Sequence, residues 1–188
     1  MFSCAFFSVK AQENIKPNTS HAGLKFGYNM ASVSFDGDTE TGKRHGFHVG
    51  FYGESFISEI TTIQVEISYS QQGYELKDNS GTFTQKLNYI NVPVLLKVYP
   101  DKNFFLEAGP QVSLAISHRE EYDSSFNLFN STKEYDPDNF DWGINFGGGF
   151  KTNSGLSLGV RYLLGLGNVY NQESPKNRLL QFSLGFDL

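Results

Sequence analysis

Oily and polar residues change places at almost every step of this chain, and that alternation decides most of what it can become. In the closing segment Leu180, Phe182, Leu184, Phe186 and Leu188 alternate with Gln181, Ser183, Gly185 and Asp187. Successive side chains of an extended strand point to opposite faces, so this spacing gives a sheet one oily and one polar face. The pattern returns from about Ala22 onward. Leu24, Phe26, Tyr28 and Met30 oppose Lys25, Gly27 and Asn29; Phe47, Val49 and Phe51 oppose His48, Gly50, Tyr52 and Glu54. Ile63, Val65, Ile67 and Tyr69 oppose Gln64, Glu66, Ser68 and Ser70. Ile90, Val92, Val94, Leu96 and Val98 oppose Asn91, Pro93, Lys97 and Tyr99. Three further segments behave alike, around Leu106, Trp142 and Val160. The total is about eight strands of roughly the 9–11 residues that a bilayer-crossing strand needs.

The connections alternate in length. Ser55–Ile60, Pro100–Asn103 and Thr152–Gly155 are short and carry turn residues,. Ala31–His45, Gln71–Lys86, Ser117–Asn139 and Gly165–Leu179 are long and polar and read as loops. A long–short rhythm with both chain ends on the short-turn side is the plan of an outer-membrane barrel.

Volume decides which face points outward. Eight strands enclose a lumen just wide enough to be filled by side chains or to hold one small ligand. The oily phase is made of Phe, Leu, Ile, Val and Tyr and would overfill it. The opposite phase carries Gly27, Gly50, Gly109, Gly143, Gly147, Gly149, Gly159 and Gly185, which suit a crowded concave wall. The oily phase therefore faces lipid, since an apolar belt of that size has no place in water and a closed barrel satisfies every backbone group internally. The same assignment puts Glu66, Lys97, Glu107 and Arg161 inside, where an ion-pair network filling and bracing the lumen is expected; a basic residue facing lipid near the midplane would cost roughly 2–4 kcal/mol. Pro93 cannot donate to a ladder and is expected to mark a bulge or irregularity.

Composition excludes other classes. One cysteine, Cys4, permits no internal disulfide,, and it lacks a lipobox upstream. A net charge of −5 argues against a nucleic-acid partner,. At a mean hydropathy of −0.35 no stretch beyond the N-terminus has the about 20 apolar residues of a membrane helix. Phe2 to Val9 is a short apolar run, and Val9-Lys10-Ala11-Gln12 resembles a signal-peptidase site,. Residues 1–11 are expected to be an export signal, truncated at its basic end, 12–21 a periplasmic tail, and 22–188 the barrel.

Chemistry is sparse. No nucleophile elbow, P-loop or zinc-protease motif is present,. His45 and His48 stand an odd number of residues apart, so a strand points them to opposite sides and they do not form a metal site. Asp136, Asp138, Asn139 and Asp141 could offer oxygens to Ca²⁺, but the calcium loop's Gly and distal Glu are missing,; with Glu120, Glu121 and Asp123 they read as a solvated acidic surface. Asn168, Asn171 and Asn177 read as loop residues. His118 with Asp123 and Ser124 is the best approach to a catalytic triad and a weak one. No cofactor or metal is expected.

Three segments carry a family resemblance. Leu87-Asn88-Tyr89-Ile90-Asn91-Val92-Pro93-Val94-Leu95-Leu96-Lys97 resembles the LNYIxIPxLLK signature of PorT-like outer-membrane β-barrel proteins of Bacteroidetes-type bacteria. Glu66–Gly73 ahead of it and Phe105-Leu106-Glu107-Ala108-Gly109-Pro110-Gln111 behind it are also similar, as is the tail with Arg161-Tyr162, Gly165 and Asn168. The resemblance covers Gly23 to Leu188, makes Pro93 a usual feature, and implies an all-β, eight-stranded, antiparallel up-and-down transmembrane barrel of OmpA/OmpX-like architecture. It implies an outer-membrane location, outer-membrane lipid as surroundings, and other envelope or secretion proteins as partners. The chain departs from many such barrels in ending on Leu188, with Phe186 two residues before. The expected function is a non-enzymatic integral barrel whose surface loops contact partners. The alternative is a soluble lipocalin-like ligand-binding barrel, although the Gly-x-Trp motif of such proteins is absent near the first strand.

Overall fold

The computed structural model describes residues 20–35, 39–40, 42–77, 81–124, 131–135, 140–167 and 176–188. Among the described residues there are ten strands: β1 (His21–Phe35), β2 (Thr39–Glu40), β3 (Gly42–Phe56), β4 (Thr61–Lys77), β5 (Gly81–Val98), β6 (Phe104–Ser124), β7 (Ser131–Tyr135), β8 (Phe140–Lys151), β9 (Leu156–Gly165) and β10 (Lys176–Asp187). The sheet runs β10-β9-β8-β6-β5-β4-β3-β1, and β10 pairs back onto β1. Eight antiparallel strands thus close on themselves, while β2 and β7 only extend the ladders of β1 and β6. The seam matches Gly23 to Asp187 at one end and Ser34 to Lys176 at the other. Among the described residues closure gives each of the eight barrel strands a partner on both sides, which a hydrocarbon surrounding demands,.

The alternation sorts inside from outside as the volume argument requires. Phe51, Phe150, Leu158 and Val160 are exposed on the outer wall, and Phe182 and Phe186 are each 42% exposed, whereas Glu66 and Arg161 are 5% and 4% exposed inside. Inward glycines make room for large inward side chains. A Cβ on Gly149 would stand 2.8 Å from the Phe105 ring, and one on Gly23 would stand 2.3 Å from Tyr52.

The three short turns lie at one end, together with the start of β1 and the end of β10. In the turn after β8, the Gly155 amide donates to the Thr152 carbonyl at 3.0 Å, and Gly155 sits at φ 83°, where side chains are strained,. In the turn before β6, Asn103 N donates to Asp101 Oδ1 at 3.2 Å, a short polar side chain standing in for backbone,.

At the other end three of the four expected long loops, Ala31–His45, Gln71–Lys86 and Ser117–Asn139, are largely strand, while most of Gly165–Leu179 lies outside the described residues. β4, β5 and β6 are 17, 18 and 21 residues long, against 12, 10 and 12 for β8, β9 and β10. One wall of the barrel therefore stands well above the other. Above the lipid the outer face no longer has to be oily. There Thr84 and Lys86 alternate with inward Gln85 and Leu87, so the ladder continues while the sequence signal for it disappears. In the tall wall Gly73 sits at a φ of 128° that few other residues adopt,, beside a register shift of β3 between Lys43 and His48.

Pro93 interrupts the ladder without a bulge. The β4–β5 pairs Val65↔Val94 and Ser68↔Asn91 keep one register across the gap, and Pro93 still faces Gln111 on β6. The register shift of β5 lies further up, between Asn88 and Tyr89. Losing one donor removes a ladder bond; it does not force an extra residue into the strand. Asn177, expected in a loop, is 2% exposed and lies within β10. The N-terminal segment, Cys4, Asn168, Asn171 and the Asp136–Asn139 cluster lie outside the described residues.

Candidate functional site in the barrel lumen

The inward phase of the strands brings charges together in the half of the lumen nearest the short turns. Arg161 on β9 grips Glu66 on β4 with two bonds, Nη2 to Oε1 at 2.7 Å and Nη1 to Oε2 at 3.0 Å. Its Nε donates to Glu107 Oε1 on β6 at 2.7 Å. The planar guanidinium suits this double role, because its donors form a rigid fork that fits a carboxylate edge-on. Lys25 on β1 adds a second cation to Glu66 at 2.5 Å.

Below lies a second cluster, centred on Glu54 of β3. Lys97 on β5 and Lys151 on β8 reach Glu54 Oε2 at 3.3 and 3.2 Å. Tyr99 and Thr62 hydroxyls donate to its other oxygen at 2.6 and 2.8 Å. Lys97 also lies 4.1 Å from the centre of the Phe105 ring, a favourable place for a cation,. Lys151 continues to Asp187 at 3.0 Å, which accepts from Tyr52 at 2.6 Å and stands 3.6 Å from His21. Gln64 bridges the clusters, accepting from Lys97 at 2.9 Å and donating to Glu66.

Of the four charges singled out from sequence, Glu66, Glu107 and Arg161 meet directly. Lys97 belongs to the lower cluster and takes Glu54, not its ladder neighbour Glu107, as its carboxylate. Lys25, Glu54, Lys151 and Asp187 were missed as members, although the alternation already put Lys25, Glu54 and Asp187 on the polar phase. Four cations then face four carboxylates, so the cluster is neutral as a unit. This satisfies the requirement that buried charges be paired.

The other half of the lumen is held mostly by amides, hydroxyls and imidazoles, with the Asp141 carboxylate and the Arg44 guanidinium among them. Asn29 donates to Ser70 at 2.9 Å and shares its carbonyl oxygen between His48 at 2.7 Å and Gln181 at 3.1 Å. Asn177 donates to Asp141 at 2.6 Å, and the Trp142 amide donates to the same carboxylate at 2.7 Å. Asp141 is thus engaged inside the barrel rather than in an acidic surface loop. His48 is buried and His45 exposed, on opposite faces as their spacing requires.

Among the described residues the charged half of the lumen is tightly filled. The cavity among Lys25, Tyr52, Gln64, Lys97 and Arg161 is about 20 Å³, room for about one water. No group of three or more His, Cys, Asp or Glu able to hold a metal occurs among the described residues. His118 sits on β6 and contacts Gln85 at 2.9 Å and Glu120 at 3.4 Å. Ser124 lies six residues further along the same strand, about 20 Å away at the usual rise, so these two do not form the catalytic group that a loop would have allowed. A soluble ligand-binding barrel does not fit either, because its oily face would line a cavity and here it faces outward.

A closed antiparallel barrel with a plugged polar lumen and an apolar belt defines an integral protein of the outer membrane. Residues 10–171 match the family described as "Outer membrane protein beta-barrel domain", and the chain belongs to it. Among solved structures, the fold is similar to Ail, the attachment invasion locus protein of Yersinia pestis, at 11% identity over 90% of this chain and 99% of that one, with a TM-score of 0.56. It is also similar to Neisserial surface protein A, at 14% identity over 92% of this chain and 100% of that one, with a TM-score of 0.56. Identities this low speak for the fold alone. No curated protein matches the sequence.

Proposed function

We propose that this chain is a non-enzymatic outer-membrane barrel that works as a rigid, non-conducting platform for contacts at its rim. Its Leu87–Lys97 motif resembles that of PorT-like proteins, and its partners are other envelope or secretion components. Outer-membrane lipid surrounds its belt. Nucleic acid is not among the partners, given the net charge of −5,. The observation that carries this reading is the filled lower lumen, in which four cations and four carboxylates among the described residues are spent on each other around a cavity of about 20 Å³. Further support comes from the tall wall of β4, β5 and β6, which lifts polar backbone and side chains beyond the belt. Edge and rim surfaces of that kind are suited to protein contact.

Two measurements test it. The purified, folded chain in a planar bilayer is expected to stay closed; sustained porin-like conductance would overturn the plugged platform. A photo-crosslinking side chain at Thr84, on the tall wall, is expected to capture an envelope or secretion protein in cells, while one at Phe51, in the belt, captures none. Equal capture at both positions, or none at Thr84, would remove the rim as a contact surface.

A further inference from the structure

On the outer wall, just above the belt and away from the short turns, two cations flank a hydroxyl. The ladder sets Ser32 of β1 against Arg178 of β10. On the other side of β1, Ala31 faces Arg44, so Lys43 is the next outward residue of β3. Lys43, Ser32, Arg178, Met30, Leu180 and Tyr162 line a cleft of about 150 Å³, about five waters' worth of liquid volume. Ser32 is only 7% exposed, although it lies on the outer face. Arg178 Nη1 is held by the Gly165 carbonyl at 3.1 Å and that of Asn177 at 3.3 Å, which fixes the guanidinium over the cleft. Among the described residues, neither Lys43 nor Arg178 pairs with a carboxylate.

Strands β1, β9 and β10, which line the cleft together with Lys43 of β3, also carry an apolar valley below it. Phe26, Tyr28, Leu158, Val160, Phe182 and Leu184 line a depression of about 690 Å³ in the outer wall. On β10 the outward column reads Arg178, Leu180, Phe182, Leu184, so cleft and valley are consecutive parts of one track. Four residues separate Arg178 from Phe182, about 13 Å along the strand, within the reach of one acyl chain.

We propose that this track is a binding site for an anionic, phosphate-bearing lipid of the outer leaflet. The phosphate sits between Lys43 and Arg178 and accepts from the Ser32 hydroxyl, and an acyl chain lies along the valley. A guanidinium, an ammonium and a hydroxyl converging at the lipid boundary suit a phosphate better than a zwitterionic or neutral headgroup. The proposal rests on the membrane-barrel reading, since it needs the belt to face lipid.

Native mass spectrometry of the full chain in neutral detergent, titrated with phosphatidylglycerol, tests it. The wild type is expected to retain this lipid in preference to phosphatidylcholine of the same chains. The double variant Lys43→Gln, Arg178→Gln is expected to bind about thirty-fold more weakly, each charge counting about 1 kcal/mol near the surface at 1.36 kcal/mol per decade. Lys43→Gln alone, on an exposed side chain, is expected to lose about five-fold. Equal retention by the double variant, equal retention of phosphatidylcholine, or full displacement of the lipid by millimolar inorganic phosphate would each overturn the site. Electrophoresis of unboiled and boiled samples runs alongside. A wild type without a heat-shifted band would defeat the barrel reading itself; folded variants that still bind would defeat only the lipid site.

Discussion

The two halves of the lumen solve one packing problem by different means. Near the short turns, eight charged groups neutralise one another through contacts that mostly span strands far apart in the chain, such as Glu66 with Arg161. Farther up, the space is filled mostly by neutral groups that share hydrogen bonds, such as Asn29 with His48 and Gln181, and the buried charges there, Asp141 and Arg44, are held by neutral partners rather than by each other. The difference is one of stakes. An ion pair taken out of water costs several kcal/mol per charge and is tolerable only when complete, whereas a lost amide costs the desolvation of one neutral group. The charged half should therefore be brittle and the neutral half forgiving.

The sharpest way to break that comparison is Arg161→Met. It strands Glu107 without its cation and leaves Glu66 with Lys25 alone. Removing one partner of a buried pair costs roughly 3–5 kcal/mol, a large share of the about 5–15 kcal/mol of a folded domain. The expected outcome is a urea midpoint in lipid vesicles far below wild type, or no folded band at all. Adding Glu107→Gln restores charge balance and should recover part of the loss, by about 0.5–3 kcal/mol of coupling. If the double variant is no better than the single one, the network is not a neutral unit.

In the neutral half the matching test is Asn177→Ala, which removes one donor from Asp141 and leaves it the Trp142 amide. A loss of about 1–3 kcal/mol is expected, smaller than at Arg161, read from the same urea titration. A cost equal to that of Arg161→Met would show that both halves are equally brittle. The glycine wall gives a steric counterpart. Gly149→Ala drives a Cβ to within 2.8 Å of Phe105 and 2.0 Å of the Leu158 carbonyl, and overpacking of this kind costs about 1–3 kcal/mol. Gly53→Ala, with nothing within 4 Å of the added carbon, should stay within about 0.5 kcal/mol of wild type.

The lower half was far more legible in the sequence than the upper. Period two with an oily outer phase named Glu66, Lys97, Glu107 and Arg161, half of the eight lower charges, because only an interior position explains Glu66 or Arg161 in the middle of a membrane strand. What alternation cannot give is partnership. Lys97 and Glu107 are neighbours across a ladder, yet Lys97 turns to Glu54 two strands away, a choice made by the curvature of the closed lumen. Strand ends failed for the opposite reason. Above the belt Thr84, Gln85, Lys86 and Leu87 carry no oily face, so strand and loop look alike in composition. Only the ladder hydrogen bonds distinguish them, and these involve backbone atoms common to every residue. Pro93 was legible as a missing donor but not as a missing bulge, since the chain can lose a bond and keep its register.

The tall wall completes the comparison by placing an ion pair where neither half of the lumen exists. Lys86 contacts Glu121 across β5 and β6, with side chains 37% and 27% exposed. The geometry resembles that of the lumen pairs; the surroundings do not. Water already solvates both groups in the unfolded chain and continues to do so in part here, so little desolvation has to be offset and little Coulomb energy is gained. Lys86→Gln should therefore change stability by no more than about 1 kcal/mol, and added salt should shrink even that, since exposed pairs are screened over a Debye length of about 8–10 Å. Lumen pairs, shielded by the wall, should respond to the same salt far less. A salt titration of the Arg161→Met and Lys86→Gln variants separates the two cases. Parallel salt dependence in both would mean that water and ions enter the lumen freely, and the plugged barrel would have to be abandoned.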